Sequence, residues 1–249
     1  MKKIPELTLM FWIMKICATT LGETAGDLLS MTMNVGYAKS SLILLGFFLG
    51  TLVTQIAVKR YHPPLYWAVI LSTSTAGTTI SDFMDRTLRL GYAAGSLILI
   101  GVLGIIFAVW RRSEKSLAVD QVATPRAEFF YWSAILASNT LGTAFGDFLA
   151  DSSGLGFAGG AALVGGLLLA VVLATLFTRL SRVLLFWIAF VLTRPFGATM
   201  GDVLTKSREA GGLGFGTKGS SAILGGALVV LVVYAVYQQA KLRPRHSPT

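Results

Sequence analysis

Four aspartates stand at one fixed offset from four tryptophans. Trp12, Trp67, Trp132 and Trp187 are each followed, fifteen residues on, by Asp27, Asp82, Asp147 and Asp202. Glu23 lies four residues before Asp27, Asp85 three after Asp82 and Asp151 four after Asp147, so a helix would present paired carboxylates on one face in three of the four copies. About two turns earlier come Thr20, Thr75 and Thr140, eight residues after the Trp, and Thr19, Ser74 and Asn139, seven after. Carboxylates, hydroxyls and an amide are hard oxygen donors, suited to Mn²⁺, Ca²⁺ or Mg²⁺, or to protons. The expected metal set is Asp27, Asp82, Asp147 and Asp202, with Glu23 and Asn139 helping, and the three threonines line the approach.

The fourth copy departs from the others. It carries Arg194-Pro195 in place of the small polar pair. Pro195 is expected to kink its helix, and Arg194 is a cation too deep to reach water. Arg194 would pair with Asp202 on its own face or with Asp147 or Asp27 across the axis, act as the internal cation that resets an empty transporter, or contact an anionic substrate. Lys15, three residues after Trp12, is expected to snorkel toward the nearer membrane face, with a role in coupling as the alternative.

Several chemistries are missing. His62 and His246 fall in connecting segments and Cys17 is the one cysteine, which excludes a bis-His haem, a thiolate zinc site and a disulfide. There is no HExxH, Gly-x-Ser-x-Gly or Walker sequence. Neither enzymatic activity nor a cofactor is expected, and ion gradients are left as the energy source.

The elements that position these residues follow from composition. Of 249 residues, 54% are hydrophobic and 13% charged, and the mean hydropathy of +0.69 belongs to a membrane protein. The apolar residues run contiguously rather than alternating, which selects helices over a barrel. Six runs have no Asp, Glu, Lys or Arg: 40–58, 61–81, 90–110, 129–146, 152–178 and 219–240. Two more, 7–30 and 183–205, enclose ionisable residues. The sequence therefore predicts an all-α membrane protein with eight transmembrane helices. Each copy holds two spans, so the copies share one orientation as parallel repeats.

The two halves correspond, because Trp12 and Trp132, and Trp67 and Trp187, are 120 residues apart. Residues 1–112 form the first half, 113–126 a cytoplasmic linker, 127–240 the second half and 241–249 a basic tail. Ten and fourteen residues after each Trp stand Gly22/Gly26, Gly77/Ser81, Gly142/Gly146 and Gly197/Gly201, which predicts that the first helices of all four copies pack closely at the centre. One set of connections, with both ends of the chain, holds 13 Lys and Arg, including Lys2, Arg243 and Arg245; the other holds 6. Both termini are thus expected in the cytoplasm. The same asymmetry accounts for the net charge of +9 without a nucleic-acid partner. Lys2 and Lys3 ahead of an apolar run resemble the start of a signal peptide, but the repeat makes the first span part of the fold.

The four tryptophans with Gly26-Asp27, Gly146-Asp147 and Gly201-Asp202 resemble a bacterial family of integral membrane proteins built from four tandem two-helix repeats of unknown function. Ser81-Asp82 departs from that pattern by one hydroxymethyl. The resemblance covers about residues 5–240 and implies a fold but no chemistry. The string Gly22-Glu23-Thr24-Ala25-Gly26-Asp27 is also similar to, though one residue longer than, the Glu-x-Gly-Asp element of small manganese and calcium exporters.

The leading expectation is a secondary transporter of the bacterial inner membrane that moves a divalent cation, Mn²⁺ foremost, in exchange for protons. Its partners are the lipid bilayer, the cation or another small solute, and protons; a homo-oligomer is compatible with it. The alternatives are a proton-coupled carrier of an organic or anionic solute held by Arg194, or a non-transporting sensor or scaffold whose aspartates pair with Arg86, Arg89, Arg208 and Lys218.

Overall fold

A computed structural model describes residues 3–242. Lys2, Arg243, Arg245 and His246, and with them most of the expected basic tail, lie outside the described residues. Among the described residues there are eight α-helices and no strand: α1 (Leu9–Asp27), α2 (Tyr37–Ala57), α3 (Pro63–Asp82), α4 (Tyr92–Glu114), α5 (Pro125–Asp147), α6 (Gly156–Phe177), α7 (Arg182–Thr205) and α8 (Gly216–Leu242).

Local chemistry sets the helix starts. The side chains of Thr8, Thr124 and Ser181 cap α1, α5 and α7 by accepting from the backbone N–H of Phe11, Ala127 and Leu184. Proline opens α3 and α5, where its missing N–H has no helical partner to lose. Gly36 and Gly91 precede α2 and α4 at φ of 81° and 74°, a region where a Cβ would be strained. In three copies the aspartate ends the α-helix and the chain enters a five-residue π-helical turn: Leu28–Thr32, Phe83–Thr87 and Phe148–Ser152. The fourth copy has no such turn, and α7 continues through Pro195 to Thr205 as one helix.

The first helices of the four copies, α1, α3, α5 and α7, form a closed ring in which each touches its two neighbours. Outside it, α2, α4 and α6 each pack on the next ring helix in the chain, and α8 returns to α1 and completes the circle. The expected central packing is present, and its cause is visible at the glycines. The Gly ten residues after each Trp meets the side chain seven after the Trp on the next ring helix: Gly22 meets Ser74, Gly77 meets Asn139, Gly142 meets Arg194 and Gly197 meets Thr19. A Cβ on Gly197 would stand 2.6 Å from Thr19 Oγ1 and one on Gly77 3.0 Å from Asn139 Cβ, so the helices approach as closely as they do because that atom is absent.

Five helices, α2, α4, α6, α7 and α8, are long and apolar enough to cross a membrane. The other three, α1, α3 and α5, are less apolar because their polar side chains turn inward: Lys15, Thr19, Glu23, Thr73, Ser74, Thr78, Ser138, Asn139 and Thr143 are all buried. The outer helices instead expose Leu42, Phe47, Leu97, Ile105, Leu169, Leu176, Val229 and Val233.

Candidate functional site

The ring encloses an axis that can be followed layer by layer from the tryptophans to the aspartates. The first layer is aromatic. The residue before each Trp is also aromatic, giving Phe11-Trp12, Tyr66-Trp67, Tyr131-Trp132 and Phe186-Trp187. Ring centroids within these pairs are 5.1 to 5.5 Å apart. Each first member also meets the Trp of an adjoining ring helix: Phe11 with Trp67 at 5.7 Å, Tyr66 with Trp132 at 5.5 Å, Tyr131 with Trp187 at 6.1 Å and Phe186 with Trp12 at 5.9 Å. Eight aromatics thus close a continuous belt, tied by a 2.7 Å hydrogen bond between the hydroxyls of Tyr66 and Tyr131. The linker covers it from outside, where Leu117 O accepts from Trp187 Nε1 and Val119 and Val122 are buried in the same core. Phe11, Tyr66, Tyr131 and Phe186 share the register of the tryptophans and were legible from it, but a search for chemistry-bearing residue types passes over them.

Beyond the belt lies Lys15. Its side chain has no exposed surface and does not snorkel: Nζ sits 3.5 Å from Asn139 Oδ1 and 4.1 Å from the centre of the Phe190 ring. Asn139 in turn donates to Thr73 Oγ1 at 3.0 Å. The amide expected to assist a metal is therefore occupied with a lysine and a threonine below the carboxylates. Thr20, Thr75 and Thr140 are also apart from them, their hydroxyls donating to the carbonyls of Ile16, Leu71 and Leu136 on their own helices.

The next layer, eleven residues after each Trp, is Glu23, Thr78, Thr143 and Ala198. Arg194 reaches up into it from below. Its Nη2 donates to Glu23 Oε2 at 2.7 Å, Thr78 Oγ1 at 2.5 Å and Thr143 Oγ1 at 2.6 Å, and Nη1 donates to Thr19 O at 3.3 Å. The sequence pointed to Asp202, Asp147 or Asp27 as its partner. Glu23 takes that place because it stands one turn nearer along the axis.

Above this layer stand Asp27, Asp82, Asp147 and Asp202, one from each ring helix and all buried. Glu23, Asp147 and Asp202 each offer a carboxylate oxygen, and these oxygens lie within 4.8 Å of one another. Two basic side chains, each about one third exposed, close the mouth. Arg86 Nε is 2.9 Å from Asp82 Oδ1 and Nη2 is 3.2 Å from Asp147 Oδ2, while Lys206 Nζ is 3.2 Å from Asp202 Oδ1. Tyr37 and Tyr92 flank Arg86, and Phe157 flanks Lys206. The expected pairing of carboxylates in three copies holds at the axis for Glu23 alone. Asp85 turns toward Gly95 of α4 and accepts from Ser81, and Asp151 is exposed and accepts from Tyr92. Lys206 was missed because it stands four residues beyond Asp202 among charges read as outer-surface ones; the i,i+4 spacing was the available signal.

The arrangement is a polar column shut by aromatics at one end and guarded by two cations at the other. Five carboxylates, Glu23 and the four aspartates, face three cations, Arg86, Arg194 and Lys206, and Lys15 is a fourth cation further down the same column, which leaves one negative charge in excess when all are ionised. Hard oxygen donors carrying excess negative charge are what a divalent cation or protons would neutralise.

A repeat described as Repeat of Unknown Function (DUF347) matches residues 10–61, 65–116, 130–181 and 185–241, once for each two-helix unit. No curated protein and no solved structure matches the chain.

Proposed function

The chain belongs to this repeat family, and we propose that it is a secondary transporter that moves a divalent metal cation across a membrane in exchange for protons. The observation that carries the reading is the column itself: three carboxylates from three ring helices within 4.8 Å of one another, in a buried cluster where acidic side chains outnumber basic ones. Uncompensated charge is costly away from water, so binding a cation or protons would stabilise this cluster. Glu23, Asp147 and Asp202 are the first ligands in this reading, Asp27 and Asp82 complete the shell, and Mn²⁺ is the foremost ion.

All eight helices span the bilayer in this account. The ring helices α1, α3 and α5 cross it despite their polarity because the polar groups face one another. The basic connections on the tryptophan side, including Lys59, Arg60, Arg111, Arg112, Arg179 and Arg182, support a cytoplasmic location for that side in a bacterial inner membrane, with both termini there. The belt is then the closed inner gate, and the ion reaches the carboxylates past Arg86 and Lys206.

Thermal unfolding of the detergent-purified protein tests the binding step. Mn²⁺ at a hundred times its Kd is expected to add about 2.7 kcal/mol of stability, a gain lost in Asp147→Asn and in Asp202→Asn and reduced at pH 5, where protons compete for the carboxylates. A wild-type protein indifferent to Mn²⁺, Ca²⁺ and Mg²⁺ would refute the proposed cargo.

A further inference from the structure

Arg194 is a buried guanidinium bound to a carboxylate that the proposed ion needs. It occupies the register position held by Thr19, Ser74 and Asn139 in the other copies, so one long cation has replaced a small polar group in a single quarter of a four-part ring. Its neighbourhood is adapted to it. Gly142 lies against its Cβ and Cγ, where any side chain would collide, and Ala198, the fourth member of the layer above, contributes only a methyl group.

The contacts divide into two kinds. One is ionic, to Glu23 Oε2. The other three are to neutral oxygens on three different ring helices: the Thr19 carbonyl and the hydroxyls of Thr78 and Thr143. Nε is buried and has no partner, a donor left over on the axis. The neutral oxygens can hold the guanidinium whether or not Glu23 does. Glu23, however, is also one of the three carboxylates that converge within 4.8 Å, and the charge it shares with a guanidinium at 2.7 Å is charge for which a divalent cation would compete.

We propose that Arg194 is a tethered competitor of the transported cation: it holds Glu23 while the site is empty and falls back on Thr19, Thr78 and Thr143 when the cation takes Glu23. The inference rests on the divalent-cation reading above and adds to it the element that sets affinity and turnover. Arg194 is a positioning residue in this scheme. It weakens the binding of the ion so that the ion can leave, and it neutralises part of the cluster so that the empty protein can reset.

A structural cross-link and a tethered competitor differ in sign, which makes the test direct. Mn²⁺ binding to the solubilised full-length protein is measured by titration calorimetry, and net uptake and exchange of labelled Mn²⁺ are measured in proteoliposomes, for wild type, Arg194→Gln and Arg194→Lys. Arg194→Gln keeps hydrogen-bonding groups but loses the charge; its Kd is expected to fall at least tenfold, its net uptake to drop more than tenfold, and exchange to persist. Arg194→Lys, which retains a cation and a compensated Glu23, should fold even where Arg194→Gln does not, and should bind Mn²⁺ more tightly than wild type but less tightly than Arg194→Gln. A Kd that is unchanged or weaker in the folded variants, with exchange and net uptake falling together, overturns the proposal. A wild type that binds no Mn²⁺ refutes the transport reading itself, a result distinct from a wild type that binds with variants that bind no better.

Discussion

Arg194→Met is expected to cost about 3–5 kcal/mol of stability, measured by thermal unfolding in the presence of a chelator. The reason is the residue left behind. Glu23 is 3% exposed and Arg194 is its one ion-pair partner among the described residues, so removing the guanidinium strands a carboxylate in the ring. Breaking a buried pair from one side leaves the full desolvation penalty of the remaining charge, which is why such losses exceed those of surface pairs. Thr78 and Thr143 lose little, since each hydroxyl keeps an acceptor of its own: Gly22 O or Ser74 O for Thr78, and Asn139 O for Thr143. The double substitution Arg194→Met with Glu23→Gln should therefore recover part of the loss, with a coupling energy of about 0.5–3 kcal/mol in the double-mutant cycle. Additive losses in the double variant would mean that Arg194 matters for its packing against Gly142 and not for its charge.

The aromatic belt gives the second large effect. Trp132 is 1% exposed and lies between Tyr66 and Tyr131, with ring centroids at 5.5 and 5.1 Å. Truncation to alanine removes a bicyclic side chain from a layer in which every ring leans on two others, and cavities of that size cost about 3–5 kcal/mol. Because the belt is also the proposed inner gate, the same substitution should make proteoliposomes leaky to Mn²⁺ in the absence of a pH gradient. Trp110 supplies the control. It is equally buried but stacks from α4 on the outside of the ring, so Trp110→Ala should destabilise without a leak. A leak of equal size in both variants would separate the belt from gating.

The order of the helices and their central packing were legible in the sequence because both rest on identities repeated at fixed offsets. Glycine can be recognised without knowing what it faces, and four glycines ten residues after four tryptophans required a close contact in any arrangement. The partners were not legible. Whether Arg194 met Glu23 or an aspartate depended on one helical turn across an interface, and sequence spacing measures distance along a helix rather than between helices. Lys15 was read as a residue near a membrane surface, whereas the belt and linker outside it leave no route to water. Thr20, Thr75 and Thr140 were placed on the axis by register, but a buried threonine hydroxyl in a helix finds the carbonyl four residues back before it finds a distant ligand. The aromatic residue before each Trp and the π-helical turn after three of the aspartates went unread for different reasons. The first was visible in all four copies, while the second has no residue type that announces it.

Mn²⁺ uptake into proteoliposomes tests the central claim, that the axial carboxylates carry a divalent cation against protons. With the lumen acidified relative to the bath, wild-type protein should accumulate labelled Mn²⁺ well above protein-free vesicles, and Asp147→Asn and Asp202→Asn, reconstituted to the same level and folded, should not. Uptake that is absent in the wild type, or that persists unchanged in both aspartate variants, would contradict the account.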